Sequence, residues 1–437
     1  MEEKKGNQCP ICGRPSLYTS TEGKCIFHAK AEEKDEDEFK EELRLLLKDK
    51  NFDFNFNGFV FIGDIDFNRD YNIKKFINAS FEKAVFNGKM TFYDIQFNES
   101  TSFDDTVFYG ESYFIGSHFN GYTAFFGIIF SKKTSFDGTK FNEKVDFYFV
   151  YFYGETIFTE VRFEKGAIFD NVEFNQYGNF FDTHFSEGTN FSNIFFQGNI
   201  NFTYAYLENV NMSGIFLSDN TQVCFNGTRL RNTWIIKGNI EKHIQAENEK
   251  KYGEARETYL LLKNNFHSIG RYEDESWAFK KEKDMERKDF WEKFCKGKNY
   301  EQEEIKQATE ESKTTGKKNK REWKYFKNWL CSWFINLLYG YGERPGNVII
   351  VSGGIILLFT FLYTYFGIVD NLINNGTSKN IFNCLYFSIV TFTTLGFGDL
   401  SPQPIPTLRL LTSIEAFIGA FMMALFIYTF ARRTGGR

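Results

Sequence analysis

Phenylalanine recurs through the middle of the chain at steps that alternate between five and six residues. The series begins at Phe81, ends at Phe202 and continues to Leu207, so it forms twelve eleven-residue units. Two positions before most of these residues stands a small or β-branched residue, and examples are Ala79, Ala84, Ile95, Thr101, Thr106, Thr134, Thr139, Val145, Val161, Ala167 and Val172. This regularity predicts one repeated structural unit.

An extended conformation accounts for the repeat better than a helix does. An eleven-residue period also occurs in right-handed coiled coils, but steps of five and six, at about 100° per residue, distribute Phe around a helix. On an extended segment a residue and the one two positions before it point to the same side. A step of five then requires a corner between successive Phe. The pattern therefore predicts a β-solenoid with Phe inside.

The repeat resembles the Phe-rich variety of the pentapeptide-repeat family. The resemblance implies a right-handed quadrilateral β-helix, with the Phe or Leu and the small residue inside and about 22 residues per coil. Less regular flanks extend the predicted solenoid over residues 52–240, in about eight coils stacked at about 4.8 Å. The first coil contains Phe56, Phe61 and Phe67, and the last coils contain Met212, Leu217, Phe225, Leu230, Ile235 and Ile240.

After the solenoid the apolar residues follow a helical spacing. Residues 241–295 predict an α-helical hairpin of tetratricopeptide type that caps the solenoid, with peptide binding as the alternative. Residues 296–320 are almost devoid of apolar side chains and predict a charged linker or a marginal helix. Residues 321–342 combine Trp and Phe with Lys and Arg, which is typical of an amphipathic helix at a membrane interface.

Three stretches with few or no charges lie within residues 345–431. Two of them, at about 346–368 and 408–431, are long enough for transmembrane helices. The third ends in Thr, Gly and Asp, which do not suit contact with lipid. We therefore expect a half-span pore helix at about 380–393, followed by an extended segment at 394–398 that lines water.

The extended segment has the chemistry of a cation pathway. Stacked backbone carbonyls can replace the water oxygens around K⁺, and Gly396 and Gly398 allow the backbone to aim them at one axis. Thr394 adds a hydroxyl. The helix before it directs the negative end of its dipole toward the cations. The predicted ion-binding residues are Thr394, Leu395, Gly396, Phe397 and Gly398.

The stretch TFTTLGFGDLSP, residues 391–402, closely resembles the potassium-channel signature, whose commonest form is Thr-Val-Gly-Tyr-Gly-Asp. The resemblance implies a two-transmembrane pore-loop channel, K⁺ as the permeating ion and a homotetramer. It also implies that Thr393 and Asp399 support the filter. Phe397 stands where the family has Tyr and lacks its hydroxyl, so a less selective monovalent cation channel is the alternative.

Two residues of the second span, Gly419 and Glu415, each have two interpretations. Gly419 matches the gating hinge of the family, or it is a close-packing glycine. Glu415 accepts hydrogen bonds behind the filter, or it is a packing residue shielded from lipid.

The N-terminal cysteines have the spacing of a structural zinc site. Cys9 and Cys12 form one pair, and Cys25 and His28 form a second pair after twelve intervening residues. Two such pairs can bind one tetrahedral Zn²⁺ with no open coordination position. We therefore predict a zinc-binding clip at residues 1–30, followed by a charged helix or linker at 31–51. A loose tail with reduced thiols is the alternative.

Composition, charge and motifs argue against several classes of function. The 437 residues include 55 Phe but only 6 Pro, and the net charge of −5 gives no reason to expect a nucleic-acid partner. Seven Cys do not suggest a disulfide scaffold. We find no nucleophile–base pair, P-loop or open metal site, so we do not expect an enzyme.

The charges that flank the spans predict the orientation in the membrane. Arg344, Arg432 and Arg433 lie on the side of the N-terminal modules, which predicts a multi-pass protein of the cell membrane with both termini cytoplasmic. The expected partners are other copies of the chain, membrane lipid and an unknown cytoplasmic ligand or protein on the solenoid. The N-terminal modules are expected to regulate the channel or to act as a scaffold. A membrane-anchored scaffold with a vestigial pore is the alternative from another functional class.

Overall fold

A computed structural model describes residues 8–17, 19–305, 318–370 and 376–435. The chain divides into two compact units, Met1–Glu275 and Ser276–Arg437. The predicted clip lies partly outside the described residues, at 1–7 and 18, and so does the predicted charged linker, at 306–317.

The first unit contains a four-sided solenoid of parallel strands, which confirms the predicted fold class. We number its sides faces 1 to 4 in chain order. Face 1 consists of Val60–Phe61, Val85–Phe86, Val107–Phe108, Ile129–Phe130, Tyr151–Phe152, Glu173–Phe174, Ile194–Phe196 and Ile215–Leu217. Face 2 consists of Ile65–Asp66, Met90–Thr91, Ser112–Tyr113, Thr134–Ser135, Thr156–Ile157, Gly178–Asn179, Ile200–Asn201 and Val223–Cys224.

The other two sides complete each coil. Face 3 consists of Lys75–Phe76, Gln96–Phe97, His118–Phe119, Lys140–Phe141, Arg162–Phe163, His184–Phe185, Tyr206–Glu208 and Arg229–Arg231. Face 4 consists of Thr101–Ser102, Thr123–Phe126, Val145–Tyr148, Ala167–Asp170 and Asn190–Ser192.

The repeated Phe side chains fill the interior as stacked columns. Phe103 and Phe125 are fully buried, and their ring centroids lie 5.1 Å apart with an angle of 3° between the rings. The small residues two positions before each Phe are also inside. Thr106, two positions before Phe108, donates a hydrogen bond to the carbonyl oxygen of Phe81 at 2.7 Å. The core is therefore both apolar and internally hydrogen-bonded.

The alternating step has its origin at the corners. A backbone with positive φ recurs every eleven residues, for example at Asp94, Asp105 and Gly116, each two positions after a buried Phe. These corners lie within the steps of five residues. A tight turn with a left-handed residue shortens the connection, so every second step is one residue shorter than the next.

Short segments cover the N-terminal end of the solenoid. Helix α1 (Glu36–Lys48) buries Phe39 against the ring of Phe61, with centroids 5.9 Å apart. A short helix, α2 (Phe67–Tyr71), is inserted into the first coil. A 3₁₀ turn at Ala31–Glu33 precedes α1.

The C-terminal end is covered by α3 (Lys237–Ile240), α4 (Gln245–Asn248) and α5 (Tyr252–Ser268). The side-chain amide of Asn265 in α5 pairs with the backbone of Thr233: it accepts from the N–H at 3.0 Å and donates to the carbonyl at 2.8 Å. These contacts satisfy backbone groups that an open strand edge would leave unpaired.

Helix α6 (Tyr272–Ile305) stands where the sequence predicted the second helix of a hairpin, but most of it lies in a different unit from α5. From Ser276 onward it belongs to the second unit, whereas α5 belongs to the first. It also continues through residues 296–305, where the sequence predicted a charged linker or a marginal helix, and the structure there is helical. Two aromatic contacts join α6 to the next helix of the second unit. The ring centroids of Trp291 and Trp329 lie 4.6 Å apart, and those of Phe294 and Phe326 lie 5.2 Å apart.

Four further helices lie in the described part of the second unit. These are α7 (Lys318–Tyr339), α8 (Pro345–Phe366), α9 (Ile381–Phe392) and α10 (Pro406–Gly435). A 3₁₀ turn at Gly340–Gly342 separates α7 from α8. Short strands at Ile368–Asp370, Gly376–Ser378 and Leu400–Pro402 form an antiparallel sheet. Among the described residues, the helices at Pro345–Phe366 and Pro406–Arg433 are long and apolar enough to cross a membrane.

Candidate pore segment and metal centre

The short helix α9 lies between the two membrane-length helices and ends at the predicted filter. It begins after Asn380, whose side-chain oxygen accepts a hydrogen bond from the backbone N–H of Phe382 at 2.8 Å. With 12 residues it is too short to span a bilayer. Its C-terminal carbonyls lie next to the segment that begins at Thr394.

Alternate residues of the predicted filter have left-handed backbone conformations. The φ angles of Thr394, Gly396 and Gly398 are 58°, 61° and 81°. In an ordinary strand successive carbonyls point to opposite sides. Positive φ at every second residue turns successive carbonyls toward a common side, as a column of oxygen ligands for a cation requires.

Backbone hydrogen bonds attach the filter to the last turn of α9. The N–H of Leu395 donates to the carbonyl of Val390 at 3.0 Å. Thr393 donates twice to the carbonyl of Ile389, from its N–H at 2.9 Å and from its hydroxyl at 2.7 Å. The position of the filter therefore follows the position of α9.

Two large apolar side chains of the segment are exposed in the single subunit. Leu395 is 61% exposed and Phe397 is 66% exposed. Asp399 is half-buried, and its carboxylate accepts a hydrogen bond from the backbone N–H of Leu400 at 3.0 Å, at the start of the strand that follows the filter.

Behind the filter, Gly419 of α10 packs against the backbone of α9. A Cβ atom built at Gly419 would overlap the carbonyl oxygen of Phe392, the last residue of α9. The φ of Gly419 is ordinary for a helix, so the glycine is required here by space. This geometry supports the close-packing interpretation of Gly419.

One turn earlier on α10, Glu415 is fully buried. Its carboxyl oxygens face two hydroxyl groups, one from each of the other helices of the bundle. The hydroxyl of Tyr363 in α8 lies 2.6 Å from Oε2, and the hydroxyl of Ser388 in α9 is hydrogen-bonded to Oε1. Of the two interpretations of Glu415, the structure therefore supports hydrogen bonding behind the filter.

The four N-terminal ligand residues come together in the first unit. The ligand atoms of Cys9, Cys12, Cys25 and His28 all lie within 4.8 Å of one another. The sulfur of Cys25 lies 3.2 Å from Nδ1 of His28 and 3.5 Å from the sulfur of Cys12. Three sulfurs and an imidazole nitrogen at these distances are a donor set that could hold one metal ion.

The surroundings of the cluster orient the imidazole. Nε2 of His28 lies 3.2 Å from the backbone oxygen of Asn57, so the ring donates there and directs Nδ1 toward the sulfurs. Burial lowers the pKa of His28, which favours the neutral form that binds metals. Burial raises the pKa of Cys25 to about 12. Burial acts in the same direction on Cys9, but backbone N–H groups of Cys25, Ile11 and Cys12 outweigh it and lower that pKa to about 7.

A family model described as "Ion channel" matches residues 349–435. A second, described as "Pentapeptide repeats (9 copies)", matches residues 81–129 and 136–184. The chain joins an ion-channel domain to a pentapeptide-repeat domain. The channel match contains α9, the filter and most of both membrane-length helices, so the chain is a membrane protein.

A curated protein similar to part of this chain is "Two pore potassium channel a" from Oryza sativa subsp. japonica. It is 34% identical over 76 residues, which is 16% of this chain and 21% of the relative. The chain thus aligns with about a fifth of the relative's length. No solved structure matches the chain.

The C-terminal end of α10 contacts residues that precede the first membrane-length helix. Arg432, near the end of α10, donates to the backbone oxygen of Tyr341 at 3.2 Å and lies 3.5 Å from the carboxylate of Glu343. Its guanidinium carbon lies 4.7 Å from the ring centroid of Phe279 in α6. Sequence reasoning used Arg432 only for orientation. These contacts had no local signal, because Phe279 and Tyr341 are distant along the chain.

Proposed function

We propose that the chain is the subunit of a homotetrameric, potassium-selective channel of the two-transmembrane pore-loop type. The observation that carries the proposal is the alternation of left-handed residues at Thr394, Gly396 and Gly398, directly after a half-span helix between two membrane-length helices. Such a backbone can present a column of carbonyl oxygens to a dehydrated cation.

The incompleteness of one subunit supports an assembly of several copies. One chain supplies a single filter segment, and a pore axis needs several of them around it. The exposure of Leu395 and Phe397 in the single subunit fits side chains that neighbouring copies cover. Four copies are the arrangement that the potassium-channel signature implies.

In the proposed channel, the backbone rather than the side chains at 395 and 397 contacts the ion. Leu in place of Val and Phe in place of Tyr therefore leave the carbonyl ligands in place. A Tyr hydroxyl behind the filter is lost, so the alternative is a less selective monovalent cation channel.

We place both termini in the cytoplasm of a multi-pass protein of the cell membrane. Arg344 precedes the first span, and Arg432 and Arg433 end the second, so the basic residues share one side. The exposed aromatic residues of α7, including Trp323 and Trp333, suit a helix at the inner membrane interface.

The N-terminal modules are proposed to regulate the channel or to act as a scaffold. Support comes from the second unit, where Phe279 of α6 contacts Arg432 near the end of the second span. A ligand or protein on the solenoid is the proposed partner, together with membrane lipid. At the N-terminus, the three thiols and His28 suit structural Zn²⁺, which would supply folding energy to a segment too short for its own core.

Flux measurements on the purified full-length protein in liposomes test the channel. We expect cation flux with K⁺ preferred over Na⁺, and loss of K⁺ flux when Gly398→Ala replaces the wild type. Equal K⁺ and Na⁺ flux would favour the less selective channel. Absence of any flux from correctly inserted wild-type tetramers would favour the membrane-anchored scaffold.

A further inference from the structure

A buried glutamate joins all three helices of the ion-channel domain. Glu415 lies in α10, and its partners Tyr363 and Ser388 lie in α8 and α9. A carboxyl group within a membrane-spanning helix is costly unless its oxygens are hydrogen-bonded. The cost indicates that Glu415 has a role that an apolar residue could not fill.

The hydroxyl groups of the cluster extend the contact to the backbone of the first span. The oxygen of Ser388 lies 3.1 Å from the backbone carbonyl oxygen of Ile356 in α8 as well as next to Glu415. The Tyr363 hydroxyl lies 3.4 Å from the hydroxyl of Thr412 in α10. The cluster therefore ties α9 to both neighbouring helices at one level.

A second contact between α9 and α10 lies four residues farther along both helices. There Gly419 packs directly against the backbone of Phe392. Glu415 and Ser388 thus fix one turn of α9, and Gly419 and Phe392 fix the next. Two fixed points define both the depth and the tilt of a short helix, whereas one point leaves it free to pivot.

We propose that Glu415 is a positioning residue for the filter, because it sets the depth of α9 through Ser388 and Tyr363. This inference rests on the proposed channel function. The filter is bonded to the last turn of α9 through Leu395 and Val390, so a shift of α9 moves the carbonyls that would bind the ion. A cation site is sensitive to such shifts, since selection between K⁺ and Na⁺ depends on the placement of its oxygens.

Hydrogen-bond chemistry identifies the variant that should preserve this role. Glutamine at 415 has nearly the same shape: its oxygen can accept from Tyr363 and its amide can donate to the Ser388 hydroxyl. That hydroxyl can then donate to Ile356. Leucine at 415 fills similar space but leaves both hydroxyl groups without this partner.

The test compares Glu415→Gln and Glu415→Leu in the full-length protein in liposomes, with size-exclusion chromatography to select assembled tetramers. We expect Glu415→Gln to keep the K⁺-over-Na⁺ permeability ratio, and Glu415→Leu to lower it about tenfold, the order expected for a lost hydrogen bond. Thr429→Val is the matched control, since Thr429 is a buried polar residue of α10 bonded within its own helix, to Phe426.

Each outcome bears on the proposal. A wild-type ratio in assembled Glu415→Leu tetramers would overturn it, because Glu415 would then only fill space. A loss in Glu415→Gln equal to that in Glu415→Leu would also overturn it. If Glu415→Leu does not assemble, the double variant Tyr363→Phe/Ser388→Ala replaces it in the test. This variant should lower the K⁺-over-Na⁺ permeability ratio, and an unchanged ratio would contradict the positioning role of Glu415. No flux in the wild type would refute the proposed function itself.

Discussion

Gly419 and Phe392 are in direct backbone contact, so that any side chain at 419 would overlap the carbonyl oxygen of Phe392. The contact joins the second membrane-length helix to the end of the pore helix, immediately before the filter. Helices can approach this closely in a membrane only where one of them has a small residue. Gly419 therefore helps to determine where the filter begins.

Gly419→Ala should displace the end of α9 and abolish selective K⁺ flux. Forcing a methyl group into a filled space typically costs about 1–3 kcal/mol, so the thermal stability of the tetramer should also fall. The measurements are liposome flux and tetramer melting. Gly353→Ala in α8 is the control, because a Cβ there meets no atom within 4 Å and should leave both properties unchanged.

A hinge role for Gly419 makes a different prediction. It predicts that Gly419→Ala leaves tetramer stability unchanged and alters only the open fraction of the channel. Normal stability and normal selectivity with changed opening would therefore contradict the packing explanation.

Gly396→Ala and Gly398→Ala should each abolish K⁺ conduction without preventing assembly. Both glycines have space around the missing Cβ, so the obstacle is the backbone: φ values of 61° and 81° are unfavourable for alanine by about 1–2 kcal/mol per residue. Relaxation of this strain would turn a carbonyl away from the axis. Flux assays combined with size-exclusion chromatography check the prediction, and selective current in either variant would contradict it.

Most of the solenoid could be predicted from the spacing of Phe, because the same side chain fills the same internal position in each coil. The inserted helix α2 could not be predicted, and it places Phe61 opposite Phe86, 25 residues later, where the regular coils repeat after 22. The residue types at the corners are also too varied to predict the turns from the sequence. Gly116 and Asn171 suit a positive φ, but Phe149 adopts the same conformation at an equivalent corner.

The candidate ligand residues and the candidate filter segment could be singled out from the sequence because their signals are local. Partners that depend on packing between distant segments could not be predicted. Glu415 was noted as the acidic residue of the second span, but Tyr363 lies 52 residues from it and Ser388 lies 27 residues away. The orientation of His28 by Asn57 likewise depends on the docking of the clip onto the first coil.

The purified protein should contain a single zinc ion per chain, bound by the Cys9 cluster. Cys9→Ser should remove it, because the remaining ligands no longer close a tetrahedral site. Elemental analysis measures the content, and Cys295→Ser, an exposed cysteine outside the cluster, is the control. Hydrogen exchange should also rise around Phe59, on which the clip residue Phe27 stacks with ring centroids 4.8 Å apart. Absence of zinc from the wild-type protein would contradict the predicted zinc site.

Asn265→Ala should loosen the C-terminal end of the solenoid. The change deletes both hydrogen bonds to Thr233 and leaves its buried N–H and carbonyl unpaired, at a cost of about 1–3 kcal/mol for each group. Hydrogen exchange should therefore increase first in the last coil, from Arg229 to Ile235, while the central coils remain protected. Asn264→Ala is the matched control, since Asn264 is exposed on the same helix. Equal exchange in the two variants would contradict the stabilising role of the Asn265 amide at this end of the solenoid.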